Sequence, residues 1–198
     1  MISAEVVGFI AGGIGVFFGL PQALRVRKLG HGRGVSLVSW TLQFAVAISW
    51  ATYGFDSKSP SILMTNLVAA VVNASVIMAI LKNKAKSILL LTTYCATWST
   101  LVLTLPSALV STLLVALNFA QSPQVIKSFR NIGVGKDSAV SITALSVSCF
   151  SILIWFIYGF MAQDSLIKVS ASVALSINTA IIILETIGKR RRALAKAA

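Results

Sequence analysis

Acidic side chains are almost missing from this sequence: five Asp and Glu occur in 198 residues, beside a single histidine. That scarcity removes most enzymatic chemistry at once. No paired carboxylates and no HExxH motif lie within an apolar run, and His31 falls in a basic loop where it is solvated. No Ser-His-Asp set can therefore assemble inside the apolar part of the chain. Cysteine is equally sparse. Cys95 and Cys149 both sit inside apolar runs without the CxxC spacing of a metal or redox site. No enzyme, metal or cofactor is expected.

Charge of either sign is also low, 11% of residues against about 25% in an ordinary soluble domain. With 57% hydrophobic residues, such a chain cannot cover a watery surface, so its main solvent is lipid. What charge there is leans one way, 17 Lys and Arg giving a net +12. A nucleic-acid binder would gather these on one face of a soluble body. Here they form short clusters between long apolar runs, so the bilayer is the expected partner and nucleic acid is not. The first apolar run lacks the positive leader of a signal peptide, carrying Glu5 and no basic residue before Arg25. It is expected to be retained.

A spanning helix needs about 20 largely apolar residues. Runs of that kind occur at Val6–Leu24, Val35–Phe55, Ser61–Leu81, Ser87–Leu105, Ser107–Ile126, Ala139–Phe160 and Ser165–Ile187. The fourth and fifth are parted only by Thr104-Leu105-Pro106-Ser107, where a turn is required because the joint run is too long for one span. Basic residues favour cytoplasmic loops. Arg25, Arg27, Lys28 and Arg33 follow the first span, Lys82, Lys84 and Lys86 the third, and Lys127, Arg130 and Lys136 the fifth. Lys189, Arg190, Arg191, Arg192 and Lys196 follow the seventh, which puts fifteen of the seventeen on one side. The N-terminus is expected outside and the C-terminus inside, with the basic tail against anionic headgroups.

The chain also repeats itself. Pro21-Gln22 recurs as Pro123-Gln124, and Val35-Ser36 as Val140-Ser141. Trp50-x-x-Tyr53-Gly54-Phe55 recurs as Trp155-x-x-Tyr158-Gly159-Phe160, 105 residues on, and Asn73 recurs at the same offset as Asn178. Spans one to three thus match spans five to seven, with span four between them. The expected architecture is all-α, seven transmembrane helices arranged 3+1+3 as two parallel three-helix-bundle repeats. Residues 1–82 form the first repeat, 83–106 the linker helix, 107–188 the second repeat and 189–198 the tail.

The paired Pro-Gln dipeptides, each followed by a basic loop, a Val-Ser step and Trp-x-x-Tyr-Gly, resemble the PQ-loop superfamily and within it the SWEET and SemiSWEET sugar transporters. The resemblance covers nearly the whole chain. It implies a carrier of a small neutral solute, a sugar foremost, with Pro21 and Pro123 as hinges for alternating access. Gln22 and Gln124 would serve backbone groups exposed by each bend, because proline removes a donor and frees a carbonyl, or would bond to each other's repeat. In such proteins a tryptophan and an asparagine line the central pocket, which points to Trp50 and Asn66, and to Trp155 in the second copy. An indole face stacks on the C–H side of a sugar, and a carboxamide both donates to and accepts from hydroxyls.

This chain departs from the pattern at the mate of Asn66, which is Ala171 flanked by Ser170 and Ser172. Ser172 becomes the candidate hydroxyl on that side. Asn73 and Asn178 are further candidates, with interhelical packing as the competing reading. Asn118, whose mate is Val16, can contact substrate or bridge helices. Glu185, the one acid inside a span, stands four residues before Lys189, a spacing that suits a surface ion pair. Facilitated diffusion is accordingly expected. A PQ-loop amino-acid transporter resembling cystinosin is the alternative, as is a non-transporting receptor or accessory protein of the KDEL-receptor kind. Both would want charge in the spans. A homo-oligomer is compatible with all of these.

Overall fold

The computed structural model describes residues 2–29, 37–133 and 140–197. In lipid, a backbone must satisfy its own hydrogen bonds within the segment, and these apolar runs do so as helices. Among the described residues they are α1 (Ala4–Leu29), α2 (Leu37–Asp56), α3 (Pro60–Leu81), α4 (Lys84–Thr104), α5 (Ser107–Leu117), α6 (Ser122–Arg130), α7 (Ile142–Met161) and α8 (Ser165–Ala197). A 3-10 turn at Asn118–Gln121 joins α5 to α6 as one fifth span, and another follows α6 at Asn131–Gly133. Four of the seven spans, Pro60–Leu81, Lys84–Thr104, Ser107–Arg130 and Ser165–Leu194, are long and apolar enough to cross a membrane on length and composition alone.

Several helices outrun the apolar segments that mark them. α1 continues to Leu29 rather than stopping at Leu24, and α8 runs to Ala197 rather than Ile187. Charge does not end a helix; it only ends the part that can lie in lipid. At 33 residues α8 is about 50 Å long against a hydrocarbon core of about 30 Å, so its basic end continues into water as helix. The reverse holds for α7, which starts at Ile142, with Val140 and Ser141 outside it. Between α4 and α5, Leu105 is extended (φ −73°, ψ 148°), as the residue before a proline prefers, and Pro106 completes the expected turn.

Two compact units divide the chain, Met1–Leu114 and Val115–Ala198. In the first, Trp40, Phe44, Ala47 and Ile48 of α2 pack on Ala70, Val76 and Ile77 of α3. α4 is no free-standing linker. Its Leu90, Leu91, Tyr94, Cys95 and Trp98 lie against that core, and the hydroxyls of Thr52 and Ser99 bridge α2 to α4 at 3.0 Å. In the second unit α8 carries the packing, with α7 along it and α6 and both 3-10 turns against it. Val71, Leu89, Phe150 and Ile183 point outward, the arrangement that lipid favours.

The repeat is reproduced hydrogen bond by hydrogen bond at the α2–α3 and α7–α8 turns. The Lys58 and Ser59 N–H groups donate to the carbonyls of Phe55 (3.2 Å) and Gly54 (2.8 Å). Those of Gln163 and Asp164 donate to Phe160 (3.2 Å) and Gly159 (2.9 Å). This is the Schellman pattern, which requires a left-handed residue at its centre. Lys58 (φ 55°) and Gln163 (φ 54°) occupy that position without being glycine. Replacing either by Gly should stabilise the protein by about 1 kcal/mol through relief of that backbone cost. The double variant Lys58→Gly/Gln163→Gly should therefore show a higher midpoint of thermal unfolding in detergent; an unchanged midpoint would mean that the side chains offset the strain.

The two turns differ in how the next helix is capped. At α3, Ser59 Oγ accepts from Ile62 N–H at 3.3 Å, and the Glu5 carboxylate arrives from α1 to accept from Ser61 N–H at 2.7 Å and from Ser59 Oγ at 3.1 Å. At α8, Asp164 alone accepts from Ile167 N–H at 3.0 Å. Both put negative charge at a helix N-terminus, where exposed N–H groups and the helix dipole welcome it. The first unit imports its anion from another helix; the second has it in place.

Candidate functional site

In the first unit, Trp50 meets Tyr53 edge to face at 5.7 Å, one turn before the α2 terminus. Asn66 is half-buried and spends one amide hydrogen on its own helix, donating from Nδ2 to the Ile62 carbonyl at 2.8 Å. Its Oδ1 and second hydrogen are left for other use. Asn73, two turns further along α3, is buried.

The second unit keeps the aromatic pair, Trp155 on Tyr158 at 5.3 Å, with Tyr158 fully enclosed. The hydroxyls beside Ala171 divide their tasks. Ser170 is buried and accepts from Asn118 Nδ2 at 2.8 Å, so Asn118 bridges the 3-10 turn to α8. Ser172 is exposed and donates to the Lys168 carbonyl of its own helix at 2.8 Å. Asn178 is 1% exposed and donates from Nδ2 to Ser148 Oγ at 3.1 Å, linking α8 to α7. Its carbonyl oxygen, Oδ1, is buried and meets no donor among the described residues.

The two Pro-Gln pairs also diverge. α1 passes Pro21 as uninterrupted helix, and the side chains of Pro21 and Gln22 lie outside those described. At Pro123 the helix gives way. The missing proline N–H would have served the Phe119 carbonyl, and the tighter turn hands that carbonyl to Ser122 N–H instead. The break at Asn118–Gln121 is thus the proline defect, repaired locally. Gln124 does not serve the backbone of the bend: its Nε2 donates to Ser128 Oγ at 3.1 Å, and Ser128 donates to Glu185 Oε1 at 2.6 Å.

Glu185 departs from the surface ion pair expected of it. It is 4% exposed, Lys189 is exposed, and no cation lies within ion-pair distance of the carboxylate among the described residues. The i to i+4 spacing allows the pair, but Glu185 faces α6 while Lys189 turns to water. His31 and Asp137 lie outside the described residues.

These helices superpose on a known architecture. The structure of a eukaryotic SWEET transporter matches over 94% of this chain and 99% of its own, with a TM-score of 0.71 at 14% sequence identity. The chain has the SWEET fold. Neither a family model nor a curated protein matches the sequence. At this identity the likeness concerns the path of the helices, and the SWEET fold here is that of an all-helical integral membrane protein with an internal repeat.

Proposed function

We propose that the chain carries a small neutral solute, a sugar foremost, across the membrane by alternating access, driven by the solute's own gradient. The observation that carries this reading is the Asn178 carbonyl oxygen. A buried amide oxygen without a donor costs about 1–3 kcal/mol, a cost that a ligand hydroxyl removes when it binds. The one side chain bonded to this amide among the described residues, Ser148, is neutral. Glu185 is seven residues along α8, about 10 Å away. An amino acid or a peptide terminus would bring a charge to this level and find no partner for it, so those substrates fit less well.

On this reading each unit offers its own candidate contacts, Trp50, Asn66 and Asn73 in the first and Trp155, Ser172 and Asn178 in the second, the indoles suited to stacking and the amides and hydroxyl to hydrogen bonding. On the same reading Pro123, at the break in the fifth span, and Pro21, within the continuous α1, serve as hinges. The C-terminal end of α8, which carries the basic residues, then lies in the cytoplasm, the side such residues favour.

The test is uptake of a panel of radiolabelled sugars and amino acids into liposomes holding the purified protein, with no proton gradient imposed. Saturable sugar uptake should appear and fall about two- to tenfold in Trp50→Ala, a stacked ring being worth about 0.5–1.5 kcal/mol beyond the area it buries. Uptake of amino acids but not sugars, or sugar uptake indifferent to Trp50→Ala, would move the substrate or the pocket elsewhere.

A further inference from the structure

Among the described residues Glu185 is the one buried acid, and the proposed carrier has no use for it. A carboxylate is costly to bury unless it is hydrogen-bonded. Here the support is a short relay whose donors all point one way, from Gln124 Nε2 to Ser128 Oγ and from Ser128 to Glu185 Oε1. Ser128 is itself 1% exposed. Gln124 directly follows Pro123, so the relay ties the broken part of the fifth span to α8.

The cations on the two helices that meet at Glu185 are mostly exposed. On α6, Lys127 and Arg130 are exposed; on α8, Lys189 is exposed and Arg192 is half-buried. The two 3-10 turns and α5 carry no ionisable side chain, and α7 carries only Cys149 and Tyr158. The first repeat has nothing equivalent. The positions matching Ser128 and Glu185 are Val26 and Ile80, neither of which carries a hydroxyl or an acid.

We infer that Glu185 is a proton-operated latch on the second Pro-Gln bend. Ionised, it accepts from Ser128, orients Gln124 and fixes α6 against α8. Protonated, it turns from acceptor to donor at that oxygen, the relay loses its direction, and the bend is freed. The proton comes from water at the basic end of these helices and returns there, so none crosses the membrane. Charge-assisted hydrogen bonds are about twice as strong as neutral ones, which makes the protonation state the controlling variable. The inference rests on the carrier reading only in that a freed bend would speed turnover.

The test is amide hydrogen exchange across residues 118–130 of the full chain in liposomes, followed from about pH 8 to about pH 4. After correction for intrinsic rates, acidification should speed exchange there about ten- to a hundredfold, the loss of roughly one charge-assisted bond. Glu185→Gln should show the fast rate at every pH. No pH response in the unaltered chain, or the same response in Glu185→Gln, would overturn the latch. Should Glu185→Gln fail to fold, Ser128→Ala removes only the hydroxyl and should exchange fast at neutral pH; protection equal to the unaltered chain would also overturn it. Sugar uptake should rise with acidification on the same side. Solute driven uphill by an imposed proton gradient would replace the latch with coupled transport. Absence of uptake with the expected exchange pattern would remove the carrier reading and leave the latch standing.

Discussion

Gly54→Ala should cost the protein most of its folded yield, whereas Gly159→Ala, at the matching place in the repeat, should be tolerated far better. A Cβ at Gly54 would stand 2.5 Å from the Leu63 amide nitrogen and 3.0 Å from the Ile62 carbonyl carbon, both backbone atoms of α3. Neither can move without shifting the helix. At Gly159 the nearest atom is Lys168 Cγ at 2.9 Å, the stem of a flexible side chain, with Lys168 N at 3.1 Å behind it. Overpacking of this kind costs about 1–3 kcal/mol and more where the backbone must yield. The check is folded protein recovered by size-exclusion chromatography in detergent, with thermal unfolding of whatever is recovered. Equal losses at the two glycines would show that helix separation, not the local contact, decides the cost.

Asn178→Leu should divide stability from transport. Leucine has the branching and the side-chain heavy-atom count of asparagine, though it is bulkier, and carries no polar atom, so it removes the orphan oxygen along with the bond to Ser148. Losing a buried unsatisfied group gains about 1–3 kcal/mol, which offsets a membrane hydrogen bond of about 0.6–2 kcal/mol. The variant should fold as well as the parent or better. Uptake per folded molecule should fall about ten- to a hundredfold, since a buried hydrogen bond to solute is worth about 1.5–3 kcal/mol. Reduced stability with uptake intact would instead make Asn178 a strut between α7 and α8.

Much of the fold was legible because lipid makes sequence patterns blunt: apolar runs must be helices, and a 105-residue echo of Trp-x-x-Tyr-Gly must be a repeated hairpin. The echo extends to hydrogen bonds at the Lys58 and Gln163 turns, which no residue pattern spells out since neither position holds the usual glycine. Facing was far less legible. In a soluble helix, polar residues mark the outside, but Val71 and Val76 of α3 are equally apolar, one facing out and the other enclosed. For the same reason Glu185 was read by its neighbour Lys189 along the helix. Its true partner, Ser128, lies 57 residues away in sequence and announces itself by nothing more than a lone hydroxyl. The position of the break in the fifth span was signalled by Pro123, though not its form, because the tightened turn falls on the residues before the proline.

The Glu5 cap has a mechanical meaning. A helix fastened at one end to its neighbour moves as a lever, and the contact with Ser59 and Ser61 makes that end of α1 the pivot. Sixteen residues on, Pro21 sits about 24 Å from it, so a swing of about 10° would carry the far arm roughly 4 Å. On the carrier reading, any travel of α1 would be concentrated at the end distant from Glu5, with almost none at the pivot itself.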